Sequence, residues 1–413
     1  MEVKPGYKKT EVGVVPEDWS VSPLGALAEI SSGTTPARAL FDRYYKNGSI
    51  AWVKTMDLTN SNILHTSECV TDIALKETSL RLYPIGTVLV AMYGGFQQIG
   101  RTGLLRLPAA VNQAITAIRP RPRQLVSEYL LATLNHRVAH WRTIASSSRK
   151  DPNITGQDVR SFPIAYPQSP EQRVIAEALS DVDGLLATLD RLIRKKRDLR
   201  QAAMQQLLTG RTRLPNFDGQ WQVKRLADIV DTDPENLGSD TRPDFAFKYI
   251  AVEDVDRGTL RSYTEQVFAA APSRARRKLR PGDVLVSTVR PNLQSHLLFG
   301  GGTGNWVCST GFCVVRCRRG VTNPAYIFAH LFTAFLNQQI EALLAGSNYP
   351  AINSGDVRAL QMPIPDYPEQ TAIVEVLSDM DAELATLEQR REKTHGLKQA
   401  MMQELLTGKT RLV

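Results

Sequence analysis

The sequence predicts a mixed α/β protein built as two tandem copies of one unit. Each copy is a globular part followed by a long helix, and the two helices are expected to pair antiparallel as a coiled coil with pseudo-two-fold symmetry. Three observations predict this. First, the segment from Pro170 to Pro215 matches that from Pro368 to Val413 without a gap, with 26 identities in 46 positions at an offset of 198. Self-similarity at a fixed spacing marks a repeat. Second, fainter matches carry the repeat outward: Trp19-x-Val21-x-x-Leu24 with Trp221-x-Val223-x-x-Leu226, Gly86-x-Val88-Leu89-Val90 with Gly282-x-Val284-Leu285-Val286, and Asp158-Val159-Arg160 with Asp356-Val357-Arg358. Third, the repeated segment carries a helical seam. Ile175, Leu179, Val182, Leu186, Leu189 and Ile193 are spaced 4-3-4-3-4, and Ile373, Leu377, Met380, Leu384 and Leu387 repeat the pattern. The chain therefore divides into globular parts at 1–168 and 215–366 and helical segments at 169–214 and 367–413.

Each element has a local reason. Pro170 and Pro368 stand where a helix begins, since proline lacks an N–H that has no intrahelical partner there. Glu171 and Glu369 suit the positive end of the helix dipole. Gly210 and Gly408, in Leu-Leu-Thr-Gly, read as C-terminal stops. Each helix then runs roughly 38 residues, or about 57 Å. The seam breaks near RLIRKKRDLR and QRREKTHGLK and is expected to resume at Leu199 and Leu397. The stretch Tyr7–Pro16 is expected to sit after the second helix, as Pro215 onward does after the first.

The globular parts read as strand-rich. Residues 86–92 and 282–289 are apolar runs bounded by turns, and 51–53 and 249–252 are further strands. Residues 127–144 and 324–344 read as one closing helix in each part. The same order occurs twice.

Composition excludes several classes. The 413 residues are 42% hydrophobic, which is ordinary for a folded chain. The first residues show no apolar signal core, and no apolar run approaches the ~20 residues of a membrane span, so a cytoplasmic protein with no membrane partner is expected. Four cysteines make no disulfide scaffold. The net charge of +8 leans toward a polyanionic partner. It is unevenly spread: net +6 over 1–168, +3 over 169–215, +1 over 216–366 and −2 over 367–413. In the second globular part the basic residues gather at Arg274, Arg276, Arg277, Lys278 and Arg280.

A search for catalytic constellations returns none. Leu-Thr-Gly-Lys-Thr at 406–410 ends like a phosphate loop, but Gln403 stands where that loop requires glycine. Cys308, Cys313 and Cys317 lack the tight pair and fourth ligand of a zinc site and are expected as buried thiols. His136 and His140 lack the glutamate of a zinc protease. Asn323-Pro324-Ala325-Tyr326 lacks the second proline of an amino-methyltransferase motif, and Pro243-Asp244 is not followed by the acid-x-lysine of a magnesium nuclease. The expectation is a chain with no catalytic residues, metal or cofactor of its own.

Variable globular parts with near-identical helices ending Leu-Leu-Thr-Gly-(Arg/Lys)-Thr-Arg-Leu resemble the specificity subunit of type I restriction-modification systems. The resemblance extends to Pro16-Glu17-Asp18-Trp19 and Asp218-Gly219-Gln220-Trp221, to Ser32-Gly33-Thr34-Thr35-Pro36 followed by Ala51-Trp52-Val53-Lys54, and to the prolines leading into Pro170-Glu171-Gln172 and Pro368-Glu369-Gln370. It covers essentially the whole chain. It implies two target-recognition domains, each reading half of a split site in double-stranded DNA, and helices that fix the gap and dock two modification subunits. S-adenosylmethionine and adenine methylation would belong to those partners. ATP and magnesium would serve restriction subunits where a system carries two of them.

Base edges are read by bidentate side chains, arginine to guanine and asparagine or glutamine to adenine, while phosphate contacts position the protein. The turn after the Gly-x-Val-Leu-Val strand is the first candidate: Tyr93, Gln97, Gln98 and Arg101 in one domain, Arg290, Asn292 and Gln294 in the other. Lys54 and Thr55 follow another strand, with Val252 and Glu253 as counterparts. Ser147, Ser148, Arg149 and Lys150, suited to phosphates, and Ser347, Asn348 and Tyr349 precede the repeated Asp-Val-Arg. Gln97-Gln98 against Arg290-x-Asn292 predicts that the two half-sites differ.

Overall fold

A computed structural model describes residues 4–95, 97–146, 153–344 and 350–412. It contains two compact units, Met1–Asp190 with Gln389–Val413, and Arg191–Glu388. The division runs through the long helices rather than at their ends. Each globular part packs on the opening turns of its own helix and the closing turns of the other.

In the first unit the Gly-x-Val-Leu-Val strand, Val88–Ala91, lies at the centre of a five-stranded sheet. It pairs antiparallel with Ile115–Pro120 on one side and Thr102–Leu105 on the other. Ala28–Ser32 and Ser61–Ile63 form the edges, the latter by a parallel pairing. The run is apolar throughout because both faces are covered. Val88 and Val90 enter a core shared with Trp19, Tyr129 and the long helices, while Leu89 and Ala91 enter a second core with Val53 and Val111. A three-stranded sheet, ordered Ala109–Val111, Ile50–Val53, Cys69–Val70, packs in that second core.

The second unit repeats the plan. Val284–Ser287 pairs antiparallel with Phe312–Cys317 and Leu297–Leu298. Its Val284 and Val286 face one core and Leu285 another. A second sheet is ordered Thr264–Val267, Ala246–Ile250, Trp306–Ser309, Ala275–Lys278. Buried Cys308 and Cys313 belong to these strands as free thiols, with burial pushing both upward in pKa.

The closing helices are two pieces in each unit, not one. Ser127–His136 ends at Arg137, whose guanidinium lies 4.6 Å from the Phe162 ring centre and donates to the Pro163 carbonyl. In the second unit Pro324–His330 ends before Thr333, whose hydroxyl accepts the Leu336 N–H and starts Ala334–Leu344.

The long helices are Ser169–Leu208 and Tyr367–Leu405. Gly210 and Gly408 follow with φ of 67° and 68°, the left-handed turn that ends a helix. Ile175, Leu179, Leu189 and Ile193 are buried, as are Ile373, Leu377 and Leu384, while Val182, Leu186, Met380 and Leu387 are half-buried. The opening seam residues serve more than helix pairing. Ile175 and Leu179 share one core with Trp19 and Tyr129 and with Met402, Leu405 and Leu406 of the other helix. Ile373 and Leu377 do the same with Tyr326, Met204, Leu207 and Leu208. Leu199 and Leu397 do not resume the seam; they are 47% and 55% exposed. Burial resumes instead at Met204 and Met402.

Pairing is antiparallel within each unit. Asp183 and Asp190 meet Lys398 and Arg391 in the first; Lys196, Arg197 and Arg200 meet Glu383, Glu388 and Asp381 in the second. The Tyr7 hydroxyl donates to the Gly408 carbonyl at 3.1 Å, which places the N-terminal hairpin Tyr7–Thr10/Gly13–Pro16 beside the end of the second helix.

The Pro-Glu-Gln motif anchors each helix to its globular part. The Gln172 amide donates to the carbonyls of Gln124 and Pro167 and accepts the Val126 N–H; Gln370 does the same with Val321, Pro365 and Asn323. Both glutamines are wholly buried. No helix among the described residues is long and apolar enough to cross a membrane.

These buried groups set the stability of each unit in two ways that can be measured. Gln370→Ala strands a buried N–H and two carbonyls, and is expected to cost about 2–4 kcal/mol. Hydrogen exchange should show that loss in the second unit, and Gln172→Ala the same loss in the first. His296 and His330 are buried in the second unit. The His296 Nδ1 accepts the Ser287 N–H, but its Nε2 and both His330 nitrogens have no partner among the described residues. Burial lowers their pKa values to about 4 and about 3. An unfolded histidine takes a proton near pH 6.5, whereas these resist it when folded. The second unit therefore loses stability progressively as pH falls from about 6.5 toward those values, by up to about 1.4 kcal/mol per pH unit for each histidine. His330→Phe should flatten that slope in melts recorded from pH 7 to pH 5.

Candidate nucleic-acid interface

Beyond Val88–Ala91 the chain turns through Tyr93, Gly94 and Gly95 to Gln97 and Gln98, then returns at Ile99. Gly94 and Gly95 have φ of 121° and 93°, which only glycine takes readily. Ile99 is buried and Gly100 sits against Trp141, where a Cβ would come within 2.6 Å of the ring, so the base of the turn is fixed. Tyr93 and Gln97 are exposed at its tip. Arg101 is half-buried and its Nε donates to the Gln97 carbonyl at 3.1 Å. The Gln98 amide lies 3.6 Å from the Met56 sulfur. Gln97 and Arg101 also line a cavity of about 410 Å³ with Asn60, Arg142, Lys398 and Gln399.

Lys54 and Thr55 lie at the start of a 3-10 turn, Thr55–Asp57, closed by the Asp57 carboxylate accepting the Lys54 N–H. The Lys54 ammonium is not free: it lies 3.0 Å from Glu68, which also grips Arg38. Those two cations, Arg38 first, hold the Glu68 carboxyl below the usual carboxylate range. The exposed residue of this turn is Met56, at 67%.

In the second unit the equivalent strand leads to Arg290, the 3-10 turn Pro291–Leu293 and Gln294. Arg290 and Gln294 have φ of 48° and 56°, a conformation that costs a non-glycine residue roughly 1–3 kcal/mol. Arg290 and Asn292 are exposed. Gln294 is half-buried and lines a cavity of about 750 Å³ with Arg257, Arg200, Asp381 and Phe332. Glu253 is exposed in the turn Val252–Asp254, which is closed by Asp254 accepting the Ala251 N–H. That closure matches Lys54–Asp57 at an offset of 197, so Ala251 is the counterpart of Lys54 and Glu253 that of Met56, one residue from the sequence expectation. Ser147, Ser148, Arg149, Lys150, Ser347, Asn348 and Tyr349 lie outside the described residues.

Sequence reasoning missed Met56, Asn60 and Arg257. Asn60 and Arg257 hold matching left-handed positions, with φ of 60° and 40°. Asn-Ser and Arg-Gly after the strands were the available turn signals. The basic cluster at 274–280 is partly spent within the unit: Arg277 pairs with Asp233, Arg280 with Glu235, and Arg276 lies over Phe268. Among the described residues no group of three or more His, Cys, Asp or Glu side chains is placed to hold a metal.

Known proteins share both sequence and fold with this chain. The family model described as "Type I restriction modification DNA specificity domain" matches residues 16–195 and 219–394. A type I restriction enzyme specificity subunit of Methanocaldococcus jannaschii, MjaIX, is 30% identical over 184 residues, 44% of this chain and 41% of that one, less than half of the relative's length. Another from that organism, MjaVIII, is 20% identical over 96% of this chain and 94% of its own. The crystal structure of the type I restriction-modification S subunit from M. genitalium superposes with a TM-score of 0.58 at 15% identity, covering 98% of both chains, a likeness of fold. With the family model covering both copies of the repeat, the chain belongs to the type I restriction-modification DNA specificity family, and its role is DNA sequence specificity.

Proposed function

We propose that each unit reads one half of a split, asymmetric site in double-stranded DNA, and that the long helices set the gap and dock two modification subunits. Those partners would carry S-adenosylmethionine and methylate adenine; two restriction subunits, where present, would use ATP and magnesium to cleave. The setting would be the prokaryotic cytoplasm. Base reading falls to the tips: exposed Tyr93, Gln97 and Met56 with half-buried Gln98 in the first unit, exposed Arg290, Asn292 and Glu253 in the second. Lys54 and Thr55 serve as positioning residues beneath the first tip. Arg101 and Gln294 line clefts beside the long helices, where backbone contact suits them better than base contact.

One observation carries the docking role. Leu199, Gln201, Ala202 and Gln205 are exposed on the first helix, and Leu397, Gln399, Ala400 and Gln403 are their identical, exposed counterparts on the second. Neither core requires these residues, so identity there fits one kind of partner bound twice. The tips differ between copies, as two different half-sites require.

Methylome sequencing of cells expressing the chain with its modification subunit should reveal a two-part, non-palindromic motif. Arg290→Ala with Asn292→Ala should relax one half of it, by about 1–3 kcal/mol of discrimination for each bidentate pair removed. A palindromic motif, or relaxation of both halves, would overturn the reading. Leu199→Asp with Leu397→Asp should weaken capture of the modification subunit in co-purification by roughly tenfold or more for each leucine, given about 1.5–3 kcal/mol per buried leucine. Circular dichroism should be unchanged, since both residues are exposed.

A further inference from the structure

The long helices are near copies except in one window. Of the nine positions 190–198 only Lys195 is shared with 388–396, against 25 identities in the other 37 positions of the repeat. The first helix is strongly basic there. Lys196 and Arg197, with Arg200 just beyond, are occupied by Glu383, Glu388 and Asp381 within the second unit. Helix pairing accounts for those three and leaves three more.

Arg191, Arg194 and Lys195 have the i, i+3, i+4 spacing that places them on one face. All three are exposed and have no ion pair, hydrogen bond or ring contact among the described residues. Asp198 shares the face and leaves it two net positive charges. Ala187 and Thr188 before the cluster are small or neutral and also exposed, and the docking positions named above begin beyond it, at Leu199. The second helix presents Gln389, Glu392, Lys393 and Gly396 at the corresponding positions, with no net charge.

A partner bound twice meets both helices and has no use for a feature that only one of them carries. A partner present once does. We propose that Arg191, Arg194 and Lys195 form a phosphate-binding face for the duplex between the two half-sites. This inference rests on the split-site reading above. That duplex is present once per complex, is uniformly anionic and has no defined sequence, so mobile point charges suit it better than base-reading amides. The cluster spans about 6 Å of helix, over which duplex DNA carries about three to four charges.

The test uses the full-length chain assembled with its modification subunits, in three states: unchanged, Arg191→Ala with Arg194→Ala and Lys195→Ala, and Gln389→Ala with Lys393→Ala. Alanine keeps the helix. Anisotropy titrations with a duplex bearing the methylome-defined site, repeated over a series of salt concentrations, give affinity and salt dependence. The triple variant should bind at least tenfold more weakly at low salt, with a log K against log salt slope shallower by about 2–3. Its methylation motif should be unchanged, and the second-helix variant should alter the slope by no more than about 1. Unchanged affinity and slope in the triple variant would overturn the proposal. So would loss of modification-subunit assembly, which would assign the face to a protein. Failure of the unchanged complex to discriminate sequence would count against the split-site reading instead, and the slopes on the same duplex would still report on this face.

Discussion

Each unit depends on a carboxylate at the start of one long helix, held by an arginine just past the end of the other. In the second unit Arg213 makes two hydrogen bonds of 2.6 Å to Glu369, and the Trp221 indole donates a third at 3.0 Å. In the first, Arg411 holds Glu171 and Asp18 together, which raises its own pKa, first through Glu171. The Glu171 and Glu369 side chains are only 5% and 2% exposed. A buried charge left without its partner is costly, so a parallel pairing would be strongly disfavoured. The left-handed glycines make the grip reachable, because the chain must reverse within three residues to return the arginine. This explains why Pro-Glu-Gln and Thr-Gly-x-Thr-Arg are identical in both copies. They are the two halves of one lock, and the glutamine between them fixes the helix to its globular part.

On that frame the two tips are built differently. After the central strand the first unit takes its left-handed positions with Gly94, Gly95 and Gly100; the second uses Arg290 and Gln294. Glycine leaves a tip adaptable at an entropic cost, whereas a strained arginine persists only where the surroundings hold it. They do so here: the Arg290 N–H bonds the Pro350 carbonyl, Val289 bridges Ala351, and buried His296 ties the return segment to Ser287. The second tip is therefore the more preorganised of the two. The histidine that stiffens it also brings acid sensitivity to its unit.

How much of this could be read from residues alone divides along physical lines. The repeat, the strand runs and the helix ends were legible because periodicity and punctuation are local. Leu199 and Leu397 were not, since a period of 3.5 identifies an apolar stripe without saying whether the chain or a partner covers it. The breaks at Arg137 and Thr333 depend on contacts with other segments. The offset between Lys54 and its counterpart changed by one because the closing carboxylates, Asp57 and Asp254, define the turn better than the neighbouring apolar residues do. Of the candidate readers, the tips stood out through their glycines and turn residues. The neutralisation of Lys54 by Glu68 required knowing which strands are neighbours.

Ion pairing within the chain changes what the net charge means. A cation held by a carboxylate in the free protein must give up that pairing before it can serve a phosphate. Arg277, Arg280, Lys54, Lys196 and Arg197 all carry this penalty. Arg191, Arg194 and Lys195 do not, and neither do exposed Arg142 and Arg290, which have no ion pair among the described residues. Attraction to a polyanion is governed by cations of this unpaired kind. A segment with almost no net charge, such as 216–366, can thus present a cation at its exposed tip, while the basic stretch 274–280 is partly spent in pairs within its own unit.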